Sequence, residues 1–224
     1  MTTTPRLNID TCAMLVEFNA SVWTARKLDK TTTNEVVASK NAGAKDAARV
    51  NKHLLAGRTE LDIIQQAVGR ARQFVYDNTA PWSDSGLRLL PTVNFMKFTE
   101  RMNDFEEEME ALVKAFVVIY PTLITAQALA LGDMFKRDDY PTANEMMTKF
   151  SFRVNYMPVP SSGDFRVDIP AEAALQLKNK FEASVKSRVQ EAMNVPWERL
   201  YQEVVHIRAK MLPKEDGKPQ KLYA

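Results

Sequence analysis

From Phe98 the apolar residues fall at Met102, Phe105, Met109, Leu112, Phe116 and Ile119, alternately four and three apart. A repeat averaging 3.5 residues belongs to a helix and sets one continuous apolar seam along it for about three heptads, with the acidic residues on other faces. Such a face must be covered. A second seam, Val50, Leu54, Leu61, Ile64, Val68, Ala71 and Val75, keeps the same spacing except where Gly57 takes one position. Pro81 disfavours helix at the residue before it, and Pro81 to Pro91 reads as a turn. The expectation is a long antiparallel, coiled-coil-like helical hairpin over about residues 46–120.

The ends of the chain carry a different period. Met14, Val16, Phe18, Ala20 and Val22 alternate with polar Glu17, Asn19 and Ser21, which predicts a half-buried strand over about 12–25. Alternation returns at about 149–157 and again at 164–169, on either side of a turn signal at Pro158–Gly163. A lone hairpin is marginal, so these three segments are expected to form one small antiparallel sheet. Residues 30–44 lack a sustained period and read as a loop or loose helix. After Pro121 a shorter helix through Ala126, Leu129 and Phe135 is expected, then a break at Arg137–Pro141 and a brief helix toward Met147. Two C-terminal helices follow, one through Leu177, Phe181, Val185 and Val189, the other from Pro196 through Leu200, Val204, Ile207 and Met211. The expected fold is α+β and predominantly helical, one domain over 1–212, with 213–224 a polar, flexible tail.

Composition excludes several chemistries. The 224 residues are 45% hydrophobic, enough to bury a core. No apolar run was expected to reach the roughly 18 to 20 residues that cross a bilayer, and the N-terminus lacks a signal peptide's apolar stretch. Cys12 is the single cysteine, so a disulfide framework, a Cys-based zinc site and a two-thiol redox centre are ruled out, as fits a reducing cytoplasm. Cys12 itself reads as a small buried hydrophobe. His53 and His206 lack an obvious second ligand or nucleophile, and the seven glycines form no phosphate-cradling cluster. Glu106, Glu107, Glu108 and Glu110 read as a charged face on which Glu106 and Glu110 are neighbours, and Asp164 with Asp168 as a structural pair. No cofactor, metal or catalytic residue is expected, and the chain reads as non-enzymatic.

The charges are unevenly placed. Ser21 to Arg58 holds eight Lys and Arg against three Asp and Glu, whereas Thr99 to Glu110 holds six acids against Arg101 alone. In the basic stretch, Trp23 is followed by Arg26 and Lys27, the combination of a stacking ring and phosphate-neutralising cations by which single-stranded nucleic acid is held. The nucleic-acid candidates are Trp23, Arg26, Lys27, Lys30, Lys40 and Lys45. The rival reading is a protein-interaction or assembly surface made of Phe98, Met102, Phe105 and Met109 with Glu106 and Glu110. Opposite charge on the two segments also suits association between copies.

The run Leu15-Val-Glu-Phe-Asn-Ala-Ser-Val-Trp-Thr-Ala-Arg-Lys-Leu28, followed in order by Gly86-Leu-Arg-Leu-Leu-Pro91, a long helix, Tyr140-Pro141 and the aromatic segment Phe150 to Tyr156, resembles a family of uncharacterised tailed-phage and prophage proteins. Where that family more often has Ser-Gly, this chain has Thr24-Ala25, so a tight turn there is not implied. The resemblance implies a bacteriophage accessory protein in the host cytoplasm, encoded near a MoxR-type ATPase and near recombination or replication proteins, and acting beside DNA or that ATPase. Together with the residues it suggests a self-associating DNA-binding protein, or an adaptor without nucleic-acid contact.

Overall fold

The computed structural model describes residues 12–44, 46–83, 85–160 and 171–211. The fold is α+β and predominantly helical, with a small antiparallel sheet. In chain order the elements are β1 (Ala13–Ser21), β2 (Arg26–Leu28), α1 (Lys30–Ser39), β3 (Asn51–His53), α2 (Glu60–Asn78), β4 (Ala80–Pro81), β5 (Leu87–Pro91), α3 (Phe95–Leu131), α4 (Ala143–Met147), β6 (Ser151–Pro158) and α5 (Ala171–Met211). Among the described residues the chain groups into two compact units, one within Met1–Phe18, Val75–Phe98 and Val154–Ala224, the other within Asn19–Phe74 and Thr99–Arg153.

The first unit centres on a four-stranded sheet of order β4-β5-β1-β6. Strand β1 meets β5 antiparallel, Ala13 opposite Pro91 through Glu17 opposite Leu87. The sequence reading expected three strands and took Gly86–Pro91 for part of a turn. In fact Gly86, at φ 95, makes the turn in the left-handed region that glycine tolerates, and Leu87–Pro91 runs on as a strand. The expected third strand at 164–169 lies outside the described residues. Leu15, Leu89 and Trp82 form the apolar centre with Val159, and α5 covers it with Val185, Val189 and Ala192, spaced four and three apart on one face. Arg88 threads this unit, its guanidinium donating to the Thr79 hydroxyl at 2.6 Å and to the Thr79 carbonyl at 3.0 Å.

The second unit is built on the buried face of α3. Met109, Val113, Phe116, Tyr120, Leu123 and Ile124 pack with Leu61, Ile64 and Val68 of α2 and with Leu54, Leu55, Tyr140 and Met146. Phe74 lies 5.8 Å from Phe105, and Arg70 pairs with Glu108, so α2 and α3 pair residues in opposite sequence order. The expected hairpin over 46–120 is therefore altered. Residues 51–53 form a strand, α2 begins only at Glu60, and β4 and β5 take the place of the connecting turn. Gly57, at φ 70, turns the chain from β3 into α2.

Three further expectations are corrected. Residues 30–39 are a regular helix because Asp29 caps it, its carboxylate accepting from the Thr32 amide at 3.1 Å. Pro121 and Pro196 end no helix: each costs one backbone hydrogen bond within an element held by packing elsewhere along its length, so α3 and α5 continue past them. The two expected C-terminal helices are thus one. Helix α3 also contains a window of mean hydropathy 1.7, long and apolar enough to cross a membrane, which the search for an uninterrupted run missed. Phe116, Tyr120, Leu123 and Ile124 of this stretch lie in the core, while only 28% of the apolar window is buried.

Burial sets the tyrosine chemistry. Tyr120 and Tyr140 are both pushed up to about 12 by desolvation, and their hydroxyls donate to the carbonyls of Pro141 at 3.1 Å and Leu54 at 2.8 Å.

Candidate functional site

The segment that follows β1 divides its side chains between two faces. Ala20, Val22, Thr24 and Arg26, at alternate positions, line one side of a cleft of about 370 Å³, and Gln65, Val68 and Arg72 of α2 line the other. The spacing of three and four puts those α2 residues on one helix face. Trp23 turns to the opposite side, where its ring stands edge-on to Tyr120 at 5.8 Å and tilted against Phe116 at 6.5 Å. Ala25, between Thr24 and Arg26, sits at φ 50, and its carbonyl accepts from the Leu54 amide at 2.7 Å. Alanine, not glycine, occupies the left-handed position here.

Trp23 is half-buried, one part of its ring packed against the core of its unit, and the cations that follow it in sequence are dispersed. Lys27 lies 3.2 Å from Asp139. Lys30 and Lys40 are exposed, and they stand at opposite ends of α1, about 15 Å apart. Lys45 lies outside the described residues. Arg26 shares a cleft with another cation, Arg72.

A residue the sequence did not flag organises the basic stretch. Lys52 is buried opposite Lys27 on the β2–β3 pair, and its ammonium lies 2.6 Å from Asp139 and 3.6 Å from Asp29 while donating to the Met134 carbonyl at 2.6 Å. The Thr32 amide bond holds Asp29 below the usual carboxylate range against the opposing effect of burial, with the Lys52 charge adding to it. Burial works against ionisation of Asp139, but hydrogen bonds from Lys52 and Lys27 outweigh it and lower that carboxyl too. No spacing in the sequence announces a pair with α2, β4, β5 and α3 lying between its members.

The acidic stretch forms the other candidate. Asn103, Glu106, Glu107 and Glu110, with Met109 and Val113, come to one side of a cleft of about 510 Å³ because residues three and four apart on α3 share a face. Met147, Phe150, Ser151 and Phe152 form the other side. The side of the cleft is apolar below and carboxylate above. Glu107 thus joins Glu106 and Glu110, contrary to the expected grouping, whereas Glu108 is turned away to Arg70. Glu110 also meets Lys114 at 2.9 Å.

Of the expected interface residues, Phe98, Met102, Phe105 and Met109 are buried by the chain's own packing, so the seam closes internally and only its acidic neighbours face outward. Strict 3.5 spacing also fails along α3. The buried positions move from the expected Leu112 and Ile119 to Val113 and Tyr120, because a straight helix repeats every 3.6 residues and drifts off a heptad seam. Cys12 is exposed rather than buried. Both histidines are exposed, and among the described residues no three His, Cys, Asp or Glu side chains gather to hold a metal ion. Asp164 and Asp168 lie outside the described residues.

No family model, curated protein or solved structure matches the chain.

Proposed function

We propose that this chain is a non-catalytic interaction protein whose cleft between α3 and the Phe150–Phe152 segment takes a basic, partly apolar segment of a protein partner. The observation that carries this reading is the combination of Glu106, Glu107 and Glu110 above Met109, Val113, Phe150 and Phe152 in one cleft of about 510 Å³. Carboxylates at the rim attract cations over the range of a Debye length, and apolar groups below supply the area that holds a bound segment in place. A phage accessory role beside a MoxR-type ATPase accords with this reading, that ATPase being the partner class the resemblance supports.

The test is an anisotropy titration with a labelled Lys/Leu-alternating peptide and a Glu/Leu counterpart. The basic peptide binds with a Kd on the order of micromolar, binding weakens with salt, and the Glu106→Lys/Glu110→Lys variant loses about tenfold. Equal binding of both peptides, or an unchanged Kd in the variant, would remove the reading.

One observation favours a second reading, contact with nucleic acid. Arg26 and Arg72 share a cleft, so two guanidiniums are available for adjacent phosphates even though Trp23 is engaged elsewhere. Single-stranded DNA binding that falls with salt and weakens in Arg26→Ala/Arg72→Ala supports it, and no binding at low salt eliminates it.

A further inference from the structure

Helix α5 is attached to its unit by one face and bare on another. Val185, Val189 and Ala192 pack on the sheet, and Arg199 donates to the carbonyls of Tyr76 at 2.8 Å and Asp77 at 3.0 Å. Roughly a quarter-turn away around the helix run Met193, Trp197, Leu200, Val204, Ile207 and Met211, each between 45% and 68% exposed. Their spacing is four, three, four, three, four without a break. This is the heptad pattern that two supercoiled helices use to cover each other.

We propose that this stripe is a self-association surface, covered by the same stripe of a second copy of the chain lying parallel to it. The choice of a second copy rests on charge. With Trp197, Val204 and Met211 at a and Met193, Leu200 and Ile207 at d, Glu203 falls at a g position and Arg208 at the following e position. In a parallel pair each g residue meets the e residue five places later on the other helix, so the Glu203 of each copy meets the Arg208 of the other, twice by two-fold symmetry. The stripe is thus complementary to itself in that register. An antiparallel pairing sets g against g and e against e and loses the exchange. The surface expected to serve self-association, the α3 seam, is occupied inside the chain, which leaves α5 to do so. This inference is independent of what the α3 cleft binds.

The experiment is sedimentation velocity on the full chain over a concentration series reaching about 100 μM, with folding checked by circular dichroism. The expected result is a reversible monomer–dimer equilibrium that the Leu200→Glu/Val204→Glu variant abolishes while remaining folded. Glu203→Arg and Arg208→Glu each weaken the dimer about tenfold, since either replaces two attractions by two repulsions, and the combined variant regains it. A chain monomeric throughout, a dimer that survives Leu200→Glu/Val204→Glu, or a combined variant as weak as the single ones would each overturn the proposal. The first of these would assign the stripe to a different partner, the second would place the dimer elsewhere, and the third would exclude the parallel register.

Discussion

Helices α3 and α5 are the two longest elements, each with a proline inside it and each with apolar residues four and three apart, yet their fates are opposite. On α3 the residues Phe98, Met102, Phe105, Met109, Val113, Phe116 and Tyr120 are at most 6% exposed. On α5 no residue of the stripe from Met193 to Met211 falls below 45%. The α3 positions step by four, three, four, four, three and four, following the 3.6 period of a straight helix in a globular core, whereas the α5 positions keep the heptad rhythm. The difference teaches that spacing identifies a helix with an apolar face, while the drift or constancy of that spacing indicates what kind of neighbour the face suits.

The comparison breaks most sharply at Phe116, whose ring lies 5.7 Å from Tyr120, 5.9 Å from Phe150 and 6.5 Å from Trp23. Phe116→Ala removes a fully enclosed ring that cannot be replaced by solvent, so a loss of about 3–5 kcal/mol in urea unfolding is expected. A loss under about 1 kcal/mol would mean that the α3 face is not the core it looks to be.

Next in size is Lys52, the polar counterpart of that core. Lys52→Met leaves Asp29 and Asp139 without their shared cation, at an expected cost of about 3 kcal/mol. Acid gives the complementary measurement. Both carboxyls sit below their ordinary range in the folded chain, so their stabilisation is present above about pH 4 and is lost as pH falls through the folded-state values. Unfolding curves at pH 7 and pH 3 should therefore differ less in Lys52→Met than in the parent chain. An equal difference in both would show that the network contributes nothing to acid sensitivity.

What could be read from the sequence follows from which interactions are local. The period of two over Met14 to Val22 and the three- and four-residue steps along α2, α3 and α5 are set within a few residues, and each element was legible from them. Strand β5 was not, because Leu87-Arg-Leu-Leu-Pro alternates only briefly and takes its strand conformation from pairing with β1, where Ala13 meets Pro91 and Glu17 meets Leu87 across a long stretch of chain. The same holds for the sites. The acidic face of α3 could be seen, but the Phe150 and Phe152 wall that turns it into a cleft depends on a chain reversal after α3. Trp23, Arg26 and Lys27 looked like one constellation because they are adjacent in sequence, yet extended backbone sends neighbours to opposite sides, so adjacency argued against a shared surface rather than for it.

The smallest expected effect is the one that sharpens the comparison. Trp197 is the largest side chain on the α5 stripe, and at 66% exposure it gives up little burial within its own chain when truncated. Trp197→Ala should leave the unfolding free energy of the monomer, measured at concentrations where any dimer has dissociated, within about 0.5 kcal/mol of the parent. At high concentration the same substitution should lower the unfolding midpoint, because binding between copies stabilises the folded state only in proportion to how much of it is associated. An aromatic residue whose removal is neutral in dilute solution and costly in concentrated solution is packed by a second molecule. If the dilute loss instead approaches that of Phe116→Ala, Trp197 is covered by its own chain and the stripe is no surface for a second copy.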